Sequence, residues 1–213
     1  MIATGNPHKV EEIGSIFAHL GVGVRLLSLK DVGREIPEPA ETGDTFEANA
    51  TIKALAYARA VQGVVLADDS GLEIDALGGR PGVISSHYAT DGRETGAGRA
   101  ERDAANNARV LRELDGVPAE RRTARFVCVM VLADGASGAP VVLTRARGEF
   151  AGSIGVPPKV PRGANGFGYD PLFLAGPECE RTGAELSSTE KNARSHRGAA
   201  ARAIAAWLLG PTR

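Results

Sequence analysis

The stretch VVLADDSG, Val64 to Gly71, runs a short apolar strand, Val64 to Ala67, into two adjacent carboxylates and then a Ser-Gly turn. Strands of open α/β sheets present ligand-binding groups at their carboxyl ends, so chemistry is expected at Asp68 and Asp69. Two neighbouring anions repel each other and lose hydration, a cost that a divalent cation offsets. The pair therefore reads as a metal and proton-handling site. The plainer alternative is a turn in which one carboxylate accepts from nearby backbone N–H groups.

Just upstream, Asp44 and Glu47 have N-cap and N3 spacing for a helix running to about Gln62, with Phe46, Ala50, Ala54, Ala58 and Val61 along one side. Residues 72 to 77, LEIDAL, alternate like a second strand and precede the breaker-rich GGRPG. Nearer the N-terminus, Asn6 suits a cap and Pro7 the first helical position; Ile13, Ile16, Phe17 and Leu20 make an apolar stripe that Gly21 ends. A third helix is expected over about 100 to 114, with Asn107, Val110, Leu111 and Leu114 at helical spacing. Arg125 to Ala133 is almost continuously apolar, the mark of a strand covered on both faces. Residues 140 to 154 suggest one or two more strands, and a last helix from about Thr189 to Leu209 turns Ala200, Ile204, Trp207 and Leu208 inward. Helices and strands interleave, so the class is α/β.

The 213 residues are enough for a full core in one domain or two fused lobes. With 27 glycines, many tight turns and close backbone approaches are expected. A net charge of −1 predicts neither a nucleic-acid nor a membrane partner. The sequence has no apolar run of transmembrane length and its first residues lack the apolar core of a secretory signal, so a cytoplasmic location is expected. Two cysteines, Cys128 and Cys179, make neither a disulfide framework nor a zinc site.

Four further constellations bear on chemistry. In Thr4-Gly5-Asn6-Pro7-His8-Lys9, a lysine stands in the first turn of a helix, against the macrodipole, where free N–H groups and an anion would accommodate it. The spacing is not that of a P-loop, and a solvated lysine after an ordinary cap is the alternative. Asn49 and Lys53 share a helix face, with Glu41 in the preceding loop able to join Asp69 on a metal; a solvated polar face is the alternative. Gly163 to Pro171, GANGFGYDP, flanks Phe167 with glycines, which suits stacking on a flat ligand or, equally, a hairpin loop with packed aromatics. Ser187 and Glu190 have capping-box spacing and place Lys191 near another helix start. His196 faces inward with Ala200 and Ile204, as a satisfied core histidine or, with Arg197, as a donor to carbonyl oxygens of a buried base.

The segments TGNPHK, ETGDTFEANATIKA, ADDSGLEIDALGGRPGV, GANGFGYDP and AELSSTEKNARSHRG resemble, in order and spacing from residue 3 to about 200, the inosine triphosphate pyrophosphatase family. That resemblance implies one pyrophosphatase domain over 1–213, with an elongated two-lobed α/β fold. A long central mixed β-sheet would be flanked by helices, with an active-site cleft between the lobes. It implies a Mg²⁺-dependent homodimer that cleaves the purine nucleotides ITP, dITP and XTP to monophosphate and pyrophosphate. By motif, Thr4 to Lys9 resemble the phosphate loop, Lys9 and Lys53 the triphosphate-neutralising cations, and Asp69 the general base and metal ligand beside Asp68 and Ser70. Phe167, Gly168, Tyr169 and Asp170 resemble the base-contacting segment, and Lys191, His196 and Arg197 the groups that read the purine six-position oxygen. Many relatives carry Glu at the position of Ala40, so Glu41 is the expected second metal ligand and Glu38 its alternative. A phosphatase with Asp68 or Asp69 as nucleophile and a non-catalytic nucleotide sensor are the competing readings. The segment GGRPGVISSHYA is assigned to a packed loop near the cleft or the subunit interface, an ordinary structural turn being the alternative.

Overall fold

The computed structural model describes all residues except 5, 6, 25, 177–179 and 211–213, with the side chains of 7, 8 and 30 also outside the description. In chain order the elements are α1 (Pro7–His19), α2 (Phe46–Val61), β1 (Val64–Ile74), α3 (Arg99–Glu113), β2 (Thr123–Asp134), β3 (Val141–Ile154), β4 (Phe173–Ala175), α4 (Ser188–Arg194) and α5 (His196–Leu209). Short 3₁₀ turns lie between them, including Gly82–Thr90. The strands form one sheet in the order β1-β2-β3-β4. β3 runs antiparallel to β4, with Ile154 opposite Phe173, while Ile2 makes a parallel bridge to Leu66. The fold is thus α/β with mixed strand directions. No helix among the described residues is long and apolar enough to cross a membrane.

The chain divides into two compact units, Met1–Asp69 with Cys128–Gly148 and His196–Arg213, and Ser70–Val127 with Glu149–Ser195. In the first, the stripe Ile13, Ile16 and Phe17 of α1 packs with Ile2, with Leu66, Cys128, Met130 and Leu132 of the strands, and with Ala200, Ala201 and Ile204 of α5. Small residues on α5 let it lie close to its neighbours, and glycine at 148 is part of that fit, because a Cβ there would stand 2.1 Å from the His196 carbonyl oxygen. The second unit gathers Leu72, Ile74, Tyr88, Val110, Leu114, Phe150, Ile154, Leu172 and Phe173 into its own core. There Phe173 packs at tilted angles against Phe126 and Phe150.

Several sequence expectations are corrected. The Asp68-Asp69-Ser70-Gly71 stretch is no turn: β1 passes straight through it, eleven residues long, and only Asp75–Leu77 of the expected second strand leave it, as a 3₁₀ turn. Cations facing each carboxylate offset the poor strand preference of aspartate, as described below. The second helix is capped one residue later than expected, because the Thr45 hydroxyl, not Asp44, accepts the Ala48 N–H at 3.1 Å. The last helix is two helices. Ser195 adopts extended angles (φ −66°, ψ 153°) between α4 and α5. Trp207 does not turn inward but is 38% exposed, and Leu20, expected in the α1 stripe, is 36% exposed. The expected caps and contacts of Asn6 and Cys179 lie outside the described residues.

Candidate active site

Successive side chains of a strand point to opposite faces, so Asp68 and Asp69 enter two different environments although they are neighbours in sequence. Both are buried. On the first face, the Lys9 ammonium donates to Asp68 Oδ2 at 2.7 Å, Arg197 Nε lies 4.0 Å from the same oxygen, and the Cys128 thiol donates to it at 4.0 Å. Arg197 in turn donates through Nη1 to Glu12 Oε2 at 2.7 Å. Burial alone would raise the Asp68 pKa, but the Lys9 and Arg197 cations outweigh it and hold the carboxyl at about 2. Burial pushes the Cys128 thiol far up, so it is a protonated donor here.

On the second face, the Lys53 ammonium donates to Asp69 Oδ1 at 3.0 Å and to Glu41 Oε1 at 3.1 Å. Asp69 Oδ2 is buried and accepts no hydrogen bond among the described residues. Burial is the main reason the Asp69 pKa rises, to about 6; Lys53 opposes the rise and the Glu41 charge adds to it. Burial would lower the Lys53 pKa, but Asp69, Asp68 and Glu41 reverse that, and its pKa is raised. The acidic loop is fixed from below. Asn49, one turn before Lys53, accepts the Gly43 N–H on Oδ1 at 2.8 Å, and a Cβ on Gly43 would come within 2.5 Å of the Ala48 Cβ. Glycine at 43 therefore lets the loop lie against α2 and hand Glu41 to Lys53.

This second face suits a hard divalent cation. Asp69 Oδ2 is an orphaned acceptor beside a second carboxylate, and ions of the magnesium type are held by one or two carboxylates together with substrate phosphates. Among the described residues no three His, Cys, Asp or Glu side chains converge as an all-protein cage. Asp69 and Glu41 are the groups that could hold such an ion. Glu38 does not share the Lys53 ammonium among the described contacts; its charge acts with burial to raise the Tyr57 pKa.

In the second unit, Asp170 is the centre. Its Oδ2 accepts the Phe167 N–H at 2.8 Å and the Lys191 ammonium at 2.5 Å. The Lys191 nitrogen also lies 5.3 Å from the Phe167 ring centroid, within cation–π range. Gly166 has φ +77°, and a Cβ on it would sit 2.2 Å from Asp170 Oδ2, so only glycine lets this carboxylate close on the loop. Tyr169 is buried and donates to the Ser85 carbonyl at 2.7 Å, a core role beside the segment 82–90. Lys191 follows the expected capping box: Ser187 Oγ accepts the Glu190 N–H and Glu190 Oε2 accepts the Ser187 N–H.

Of the other sequence-predicted residues, Thr4 and Ser70 are half-buried, and His196 is buried at the start of α5. Gly5, Asn6 and the side chains of Pro7 and His8 lie outside the described residues. The first unit thus brings Lys9, Asp68, Arg197, Asp69, Lys53 and Glu41 onto two faces of one strand, and the second brings Phe167, Gly168, Asp170 and Lys191 together. Sequence reasoning missed Glu12, Gly43 and the α3 residues Arg99 and Asp103 that meet the Phe167 loop. Their signal is slight, an acidic residue on α1 and polar residues four apart on α3.

Comparison with other proteins gives this arrangement its context. The sequence profile of the Ham1 family matches residues 1–207. A protein of Geobacillus kaustophilus named dITP/XTP pyrophosphatase is 47% identical over 201 residues, covering 94% of this chain and 89% of that one. The Bacillus subtilis protein of the same name is 43% identical over 208 residues, covering 98% and 96%. Among solved structures, a HAM1 protein from Coxiella burnetii superposes with a TM-score of 0.80 at 36% identity, covering 97% of this chain and 96% of that one. A nucleoside-triphosphatase, dITP/XTP pyrophosphatase, from Mycobacterium abscessus does so with 0.71 at 42% identity, covering 98% of each. With a profile match over nearly the whole chain and relatives 43% and 47% identical, the chain belongs to the Ham1 family.

Proposed function

We propose that the chain is a nucleoside triphosphate pyrophosphohydrolase that converts ITP, dITP and XTP to the monophosphate and pyrophosphate, with Mg²⁺ as cofactor. The observation that carries the reading is Asp69: a buried carboxylate with one oxygen held by Lys53 and the other without a hydrogen bond among the described residues. Its relatives' shared name supplies the substrate class.

In this reading Asp69 and Glu41 would hold the magnesium ion, which would supply positive charge against the phosphate oxygens. Asp69 accepts the proton of a water as its oxygen attacks the α-phosphorus in line; the bond from that phosphorus to the bridging oxygen breaks and pyrophosphate leaves. Lys53 holds Asp69 Oδ1 and so aims Oδ2, and its charge also stabilises negative charge growing on the phosphate oxygens. Lys9 adds a second cation, already drawn to β1 by Asp68, for the departing pyrophosphate. The family resemblance assigns base stacking to Phe167 and the reading of a six-position carbonyl to Lys191, His196 and Arg197. Adenine presents an amino donor there instead, and a buried mismatch of that kind can cost factors of about 10⁴. A cytosolic homodimer completes the proposal on family resemblance, and the net charge of −1 supports a small-molecule rather than a nucleic-acid partner.

Incubation of the protein with Mg²⁺ and, separately, dITP, XTP, GTP and ATP, followed by phosphorus NMR of the products, tests the reading. Monophosphate and pyrophosphate from dITP and XTP are expected, with ATP nearly untouched. Orthophosphate as the first product overturns it in favour of a phosphatase.

A further inference from the structure

Helix α3 presents three polar residues at successive i, i+4 positions, Arg99, Asp103 and Asn107, which between them meet two adjacent residues of one loop, Phe167 and Gly168. Asp103 Oδ2 accepts the Gly168 N–H at 2.9 Å. Asn107 Nδ2 donates to the Gly168 carbonyl at 3.0 Å. The Arg99 guanidinium lies 5.5 Å from the Phe167 ring centroid. Both backbone polar groups of Gly168 are therefore held from one helix face, while the residue itself sits in the left-handed region at φ +64°. A solvated polar stripe has no reason to converge in this way.

The helix is itself anchored. Its neighbouring stripe, Arg102, Asn106 and Arg109, grips the segment 82–94: Asn106 accepts the Ala89 N–H and donates to the Ser85 and Ser86 carbonyls, Arg109 reaches Asp91, and Arg102 reaches Glu94. A rod fixed along one stripe can hold a loop along the other.

We infer that Arg99, Asp103 and Asn107 are positioning residues that fix the Phe167–Gly168 platform and so set how tightly this enzyme holds the purine, an inference that rests on the function proposed above. The Asp170 contact to the Phe167 N–H holds the loop from within; the α3 face holds it from outside. Releasing that hold should weaken ground-state and transition-state binding of the base alike, which raises KM and leaves kcat.

The test uses the full chain with Mg²⁺ and dITP. Asp103→Leu keeps the bulk and removes the acceptor; Asp103→Asn keeps an acceptor oxygen. Asp103→Leu is expected to raise KM for dITP about tenfold with kcat changed less than about twofold, and Asp103→Asn to recover most of that loss. Deuterium exchange in the peptide carrying Gly168 should quicken in Asp103→Leu and slow again in Asp103→Asn. An unchanged KM, or a fall in kcat that tracks a lowered melting temperature and is shared by weak ATP turnover, overturns the positioning role. A wild-type protein inert toward dITP overturns the functional reading itself, and the inference with it, so the two failures are told apart by the wild-type control.

Discussion

The two faces of β1 at Asp68 and Asp69 hold the same functional group in opposite states. On one face the carboxylate is crowded by Lys9, Arg197 and Cys128, and its pKa is held at about 2. On the other, among the described residues, it shares the Lys53 ammonium with Glu41 and keeps one oxygen without a hydrogen bond, and its pKa is raised to about 6. Burial is alike at the two positions, so the number and sign of the neighbouring charges decide the outcome. A carboxylate saturated with cations is a structural tie; one left short of them is chemically available. Alternation along a strand is all that is needed to separate the two roles by one residue.

That comparison can be broken by substitution. Asp69→Asn should lower pyrophosphate release by about 10³-fold while the melting temperature stays level or rises, because a base is lost and a buried like-charge neighbour is removed. Near-normal turnover would assign the proton to another group. Asp68→Ala should do the reverse, costing about 3 kcal/mol in urea unfolding because Lys9 and Arg197 lose a buried partner. A loss under about 0.5 kcal/mol would make it an ordinary surface-like site and erase the contrast.

A finer probe is the acidic loop. Glu41→Gln should raise the Mg²⁺ concentration needed for half-maximal rate by about tenfold, whereas Glu38→Gln should change it by less than about twofold. The opposite ranking would hand the second carboxylate role to Glu38. The smallest effect is expected in the pH dependence of metal-free stability. Asp68, lowered from 3.8 to about 2, contributes stability that is present above its ordinary value and is lost as pH falls through 2. Asp69, raised from 3.8 to about 6, has the other sign: its contribution is present below 3.8 and lost as pH rises through 6. In urea titrations across pH 2 to 8, Asp68→Asn should flatten the acid limb and Asp69→Asn the limb around pH 6. Identical limbs in the two variants would show that the faces are electrostatically equivalent.

Much of this was legible in the chain. The α1 stripe, the Ser187–Glu190 box and the Asn49–Lys53 face follow from local spacing alone, and the order of the five motifs pointed to the family. What escaped reading depended on partners distant in sequence. Asp68, Asp69, Ser70 and Gly71 carry turn preferences individually, and only cations from residues 9, 53 and 197 make an unbroken strand favourable there. Arg99 and Asp103 look like a solvated stripe until Gly168 is folded beside them. Ser195 breaks the last helical run although nothing in its neighbours demands a stop, and Trp207 lies outward where its apolar character suggested a core position.

The division of the chain also bears on its synthesis. The first unit draws on three separate stretches, and its core joins Ile13 and Phe17 of α1 to Ala200 and Ile204 of α5. A growing polypeptide that has emerged only as far as Ser195 holds every stretch of the second unit but leaves the first without its closing helix. The α1 and strand surfaces of Ile2, Ile13 and Met130 must therefore wait for α5, exposed meanwhile to chaperones or to self-association.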